Sequence, residues 1–150
     1  NSRAYLTLGR GPGQGRGSYK KFNLLGKTLQ FTADVSRVPC NVNAALYFVP
    51  MLLDTSPDGY CDIQSQPSCT EIDVFEANVG AVQATVHTQR GHGGDGTCNQ
   101  WGCAVNWGHY RTVYGVDGGG TPTKELYGQG ATNGIDTSHP FDVSASVTEE

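Results

Sequence analysis

Between residues 28 and 36 apolar and polar side chains alternate without a break. Leu29, Phe31, Ala33 and Val35 fall on one side, and Thr28, Gln30, Thr32, Asp34 and Ser36 on the other. That period of two predicts a β-strand with one dry and one wet face. Pro39 ends the pattern, and residues 44–49 follow as a near-continuous apolar strand, expected to be buried on both faces. The same reading predicts strands over 71–77, 81–88, 110–114 and 141–147. Clusters of Gly and Asp at 57–59, 91–96 and 117–120 mark turns between them. A sustained helical period is missing throughout, so many short strands joined by Gly-rich turns predict an all-β protein, a β-sandwich.

Composition narrows the partners. The chain has 150 residues, a size that implies one domain. A net charge of −4 argues against a general nucleic-acid binder, and no apolar run is long enough to span a membrane. The Gly-rich segment 9–17 lacks both the strand-then-helix setting and the closing Lys-Ser/Thr of a phosphate cradle, so it is read as a loop. Five cysteines, Cys40, Cys61, Cys69, Cys98 and Cys103, suit an oxidising compartment and predict a secreted, extracellular protein. A zinc site is the competing account, since His87, His92 and His109 lie near Cys98 and Cys103, but the spacing is loose and no metal is expected. The chain starts without Met, and strand 141–147 has no partner downstream, so a fragment of a longer protein is expected.

The chemistry-bearing segment is Thr70-Glu71-Ile72-Asp73-Val74-Phe75-Glu76-Ala77-Asn78, with three carboxylates inside six residues, interleaved with apolar β-formers. On a strand Glu71 and Asp73 share a face, whereas regular pleating turns Glu76 the other way. A bulge between Asp73 and Glu76 would bring all three to one cleft, and bulges are common beside active sites. Converging carboxylates repel, so one stays protonated while another stays ionised. Glycoside hydrolysis needs that division, and carboxyl groups about 5–5.5 Å apart give retention of configuration. An acidic metal cluster and a strand with incidental surface acids are the alternatives.

These residues carry a resemblance. Glu71 to Asn78 reproduces the Glu-x-Asp-x-x-Glu-Ala-Asn motif of glycoside hydrolase family 7, the cellobiohydrolases and endo-β-1,4-glucanases. Further segments resemble the family in family order: Lys21-Phe22-Asn23-Leu24-Leu25-Gly26-Lys27, Val38-Pro39-Cys40, Asn43 to Val49, Gly59-Tyr60-Cys61-Asp62 with Gln64, Gly96-Thr97-Cys98 and Gly102-Cys103. The resemblance implies a jelly-roll, concanavalin A-like sandwich, here an incomplete portion of one. It implies Glu71 as nucleophile, Glu76 as acid/base and Asp73 as the acid that hydrogen-bonds and tunes Glu71. It places Asn43, Tyr47, Tyr60, Asp62, Gln64 and His87 along the glucan cleft. Cellulose or another β-1,4-glucan is the implied substrate, with no cofactor and a monomeric enzyme. The spacing of Tyr60, Asp62 and Gln64 independently predicts one face of a strand.

Departures from the family pattern matter as well. The resemblance implies a Cys61–Cys69 bridge, while both halves of a second family disulfide are replaced by Ser65 and Ser68. It places the partners of Cys40 and Cys103 beyond Glu150 and leaves Cys98 without its usual mate. Where the family reads Asn-Pro-Tyr-Arg, the chain reads Asn106-Trp107-Gly108-His109-Tyr110-Arg111, which puts a sugar-binding role for Arg111 in doubt. Trp101 and Trp107 are read either as sugar-stacking platforms or as core. Only six residues separate Gln64 from Glu71 and ten separate His87 from Cys98, short for the family. Short loops imply an open cleft and internal cleavage. A glucan-binding module without turnover and a zinc-dependent structural domain are the readings from other classes.

Overall fold

The computed structural model describes residues 2–8, 19–52, 56–88, 98–107 and 126–148, with side chains of 106 and 107 excepted. The Gly-rich segment 9–17, the strand predicted over 110–114, the turns at 91–96 and 117–120, His92, His109, Arg111 and the side chain of Trp107 lie outside the described residues.

Among the described residues every regular element is a strand. β1 (Lys27–Ala33), β2 (Ala44–Phe48), β3 (Glu71–Ala77) and β4 (Val82–His87) come first. β5 (Cys103–Trp107), β6 (Tyr127–Gly128), β7 (Ile135–Asp136) and β8 (Phe141–Val147) complete the order. β3 and β8 keep their predicted bounds. β1 stops at Ala33, short of the predicted end, because its ladder runs only as far as the partner strand does.

That partner is β8, which pairs antiparallel with β1 from Lys27 opposite Val147 to Ala33 opposite Phe141. The strand at 141–147, for which no downstream partner is visible, finds one upstream. Both strands alternate in register, so Leu29, Phe31 and Ala33 meet Ala145, Val143 and Phe141 on one face. On the wet face Thr32 Oγ1 donates to Asp142 Oδ1 at 2.7 Å, and the hydroxyls of Thr28 and Ser146 lie 2.8 Å apart.

The larger sheet has the order β2-β3-β4-β5, antiparallel at every step. β2 is its edge, with Ala45 exposed and its other residues half-buried, so the expected burial on both faces does not hold. The two sheets meet through aromatic rings. Phe75 packs edge-on against Phe31 at 5.6 Å and tilted against Phe141 at 6.2 Å, and Tyr127 meets Phe141 edge-on at 6.0 Å. Ala33, Val35, Ala77 and Val82 close the core around them. Burying such side chains is the main favourable term, about 1.5–3 kcal/mol for each large one. The expected face-to-face β-sandwich is therefore observed.

A short connection fixes the β3–β4 hairpin. The Asn78 side-chain oxygen accepts the backbone N–H groups of Gly80 and Ala81 at 2.9 and 3.0 Å, and the Asn78 N–H donates to the Ala81 carbonyl at 2.9 Å. An Asn side chain that takes up backbone donors in this way stabilises a tight turn. The β6–β7 segment clamps the same turn from outside: Tyr127 Oη donates to the Asn78 carbonyl and Thr137 Oγ1 to the Val79 carbonyl. The hairpin register sets the site.

Candidate active site

β3 carries a bulge at the predicted place. Asp73 pairs with Thr85 of β4 and Glu76 with Gln83, so Val74 and Phe75 together oppose Ala84 alone. Across the other edge Asp73 faces Tyr47 and Phe75 faces Leu46, which leaves Val74 as the extra residue. One extra residue reverses the pleat. Phe75 and Ala77 thereby turn into the core, and Glu71, Asp73 and Glu76 turn together to the opposite face.

There they line a cleft of about 750 Å³ with Ile63, Gln64, His87, Gln100 and Trp101. The carboxylates are placed unequally. Asp73 is 6% exposed. Its carboxyl is pushed up to about 8, first by burial and then by the charges of Glu71 and Glu76 and a hydrogen bond shared with Glu71. Burial pushes Glu71 up as well, while the Ile63 backbone N–H, 3.3 Å from Oε2, works against that rise. The hydrogen bond between the two lowers the Glu71 carboxyl and raises that of Asp73, so it favours the proton on Asp73 and the charge on Glu71.

His87 lies opposite Glu71 in the β3–β4 register. Its Nε2 is 3.2 Å from Asp73 Oδ2, and its Nδ1 is 3.2 Å from the Gln100 carbonyl. A carbonyl only accepts, so Nδ1 carries hydrogen and Nε2 is the atom turned to Asp73. Gly102 makes room for the ring. Its φ is +80°, and a Cβ there would lie 2.7 Å from His87 Cε1 and 2.4 Å from Thr85 Cγ2.

Glu76, on the far side of the bulge, has both oxygens engaged. Asn43 Nδ2 donates to Oε1 at 2.7 Å, and Gln83 Nε2 donates to Oε2 at 3.0 Å.

Of the residues expected along the cleft, Gln64 and His87 line it beside the three acids, and Asn43 reaches it through Glu76. Tyr47, Tyr60 and Asp62 stand beside it. Tyr47 is the β2 partner of Asp73, and its hydroxyl lies 3.2 Å from that of Tyr60. Tyr60, Asp62 and Gln64 do not share a strand face: residues 60–65 enter a turn built on Asp62. Asp62 Oδ1 accepts the N–H groups of Gln64 and Ser65 and the Ser65 hydroxyl. Burial would raise the Asp62 carboxyl, but hydrogen bonds from Ser65, Tyr60 and Gln64 outweigh it and hold it low.

The Cys61–Cys69 bridge forms, with its Cα atoms 5.5 Å apart, and ties this turn to the start of β3. Cys103 pairs with Cys98, which overturns the expectation of a Cys103 partner beyond Glu150 and supplies the missing mate of Cys98. Four residues lie between the two in sequence, and the Asn99–Gly102 turn they form brings the two cysteines together. Cys40 is free and exposed.

Trp101 is 67% exposed and lines the cleft, so the core reading of that side chain fails. Sequence reasoning missed Gln83, Gln100, Gly102 and Arg3, whose guanidinium sits 3.9 Å above the Tyr60 ring. Gln83 alone carried a signal, since it continues the every-second-residue series of His87 and Thr85.

Buried carboxyls with unequal protonation, beside an open cleft, can divide attack and proton donation between them. A family profile described as glycosyl hydrolase family 7 matches residues 1–67. An endo-beta-1,4-glucanase celB of Emericella nidulans is 28% identical over 83% of the chain and 38% of its own length. An endoglucanase I solved in complex with cellobiose superposes with a TM-score of 0.62 at 22% identity, over 88% of the chain and 40% of that protein. A GH7 family cellobiohydrolase from Daphnia pulex superposes with a TM-score of 0.60 at 22% identity, over 87% of the chain and 40% of its own. The likeness to these structures shows the fold, and the chain spans less than half the length of each relative.

Proposed function

We propose that the chain carries part of a glycosyl hydrolase family 7 domain and that the protein hydrolyses β-1,4-glucosidic bonds with retention of configuration. Residues 1–150 are read as one portion of a single catalytic domain. Glu71, kept ionised beside a protonated Asp73, attacks the anomeric carbon. Glu76 gives its proton to the departing glucosidic oxygen, and a glucosyl ester forms on Glu71. Glu76 then takes a proton from water, whose oxygen bonds to the anomeric carbon as the ester to Glu71 breaks. Asp73 positions and tunes Glu71 and is itself oriented by His87.

The observation that carries this reading is the bulge at Val74, which turns three carboxylates of one strand to one cleft. Asn43, Tyr47, Tyr60, Asp62, Gln64 and His87 are proposed as glucan contacts, with the exposed Trp101 as a stacking platform. The short segments between Gln64 and Glu71 and between His87 and Cys98 favour an open cleft and endo action. The celB likeness supports the same direction. Cellulose or a related β-glucan is the proposed substrate, as the cellobiose complex of the similar endoglucanase suggests. Two disulfides support an extracellular, secreted protein, and a monomer without cofactor is the working assembly.

The test is proton NMR of a soluble cello-oligosaccharide during incubation with the intact protein and its Glu71→Gln variant. First-formed β-anomer from the wild type, absent with the variant, is the expected result. Equal turnover by both would overturn the assignment of Glu71.

A further inference from the structure

Glu76 is held from two directions. Asn43, just ahead of β2, takes one oxygen, and Gln83, on β4, takes the other. Asn43 belongs to the residues expected along the cleft, whereas Gln83 is assigned by neither the motif nor the resemblance. Its place is fixed with unusual care. The Asn78 turn sets the β3–β4 register, Tyr127 and Thr137 brace that turn, and the register puts Gln83 directly opposite Glu76.

We propose that Gln83 is a positioning residue for Glu76, and that its side-chain amide holds the carboxyl at the angle from which it passes a proton to the departing sugar. The inference rests on the reading of Glu76 as acid/base. A Glu side chain has three rotatable bonds, and a flexible carboxyl spends little time aimed at the bond it must protonate. A donor on each oxygen removes that freedom. Each carboxyl oxygen has more than one lone-pair direction, so the Asn43 and Gln83 contacts leave a direction on each free for the substrate. Asn43 and Gln83 sit on opposite sides of β3, one toward β2 and one toward β4, and neither can replace the other.

The experiment compares two substrates in the intact protein. Cellotetraose has a poor leaving group and needs proton donation; 2,4-dinitrophenyl β-cellobioside has a good one and does not. Gln83→Met fills similar space without an N–H donor, and Gln83→Leu carries the same expectation should the first variant fold poorly. Loss of the hydrogen bond that aims the carboxyl predicts a fall of about 10-fold in kcat/KM on cellotetraose. On the dinitrophenyl substrate the expected fall is under about threefold, because glycosylation there does not wait for a proton. Glu76→Ala is the reference and should show the same selectivity, more strongly.

Unchanged kcat/KM on both substrates, or equal loss on both, in a folded Gln83 variant would overturn the inference while leaving Glu76 in place. Equal loss on both substrates in Glu76→Ala would instead remove the acid/base reading, and the inference with it.

Discussion

The two ends of β3 hold their carboxyls in opposite ways. Ahead of the bulge, Glu71 and Asp73 are packed against each other and against His87, where burial forces one proton to stay. Beyond it, Glu76 meets neutral amides from Asn43 and Gln83. Three acids within six residues of one strand thus acquire different surroundings from their neighbours. The difference teaches that the motif alone does not divide the labour. The bulge at Val74 brings the acids to one face, and the flanking strands β2 and β4 then make them unlike.

The largest way to break this contrast is at the ionised member of the buried pair. Glu71→Gln is expected to lower turnover of cello-oligosaccharide by more than about 10⁴-fold while leaving the fold intact, measured by product formation and by near-UV circular dichroism.

Asp73→Asn sharpens the contrast instead, because asparagine mimics the protonated acid at every pH. Burial, then the charges of Glu71 and Glu76, push the folded Asp73 carboxyl up to about 8, above its unfolded value near 4. Its contribution to stability is therefore fully present below about pH 4 and is lost as pH rises toward 8. The variant should match the wild type near pH 4 and exceed it at pH 8.5 by an amount on the order of a few kcal/mol. Urea unfolding at the two pH values reads this directly, and a variant less stable at pH 8.5 than the wild type would contradict it.

Removing the Cys61–Cys69 bridge by a double Ser substitution should cost about 2–3 kcal/mol, from the loop entropy released in the unfolded chain. The same change frees the turn that brings the Ile63 N–H to Glu71, so activity should fall together with the denaturation midpoint.

The smallest expected effect is Gly102→Ala. Its positive φ disfavours a side chain by about 1–2 kcal/mol, and the added methyl displaces His87 from Asp73. Thermal unfolding measures the first part. The NMR shift of the His87 ring protons measures the second.

Much of this arrangement was legible in the sequence, and the exceptions have physical causes. β3 and β8 were readable to the residue because each is bounded by turn formers and carries a dominant pattern. The bulge was readable because only an extra residue between Asp73 and Glu76 brings the three acids to one face, which is a chemical argument rather than a pattern. Residues 60–64 misled because an Asp-centred turn can mimic a period of two over five residues, and only its hydrogen bonds to Asp62 reveal it. β5 escaped notice because its five residues carry no clean alternation, and pairing with β4 supplies what its own pattern lacks. The two-residue strands β6 and β7 carry no pattern to read. Cys98–Cys103 went unread because family spacing sent Cys103 elsewhere.

The central claim is that the buried pair keeps its proton on Asp73 while Glu71 stays ionised. Carbon-13 NMR of the side-chain carboxyls, followed across pH with Asp73 assigned through Asp73→Asn, tests it most directly. The account predicts an Asp73 resonance that titrates with a midpoint near 8. A midpoint near 4, the ordinary aspartate value, would contradict it.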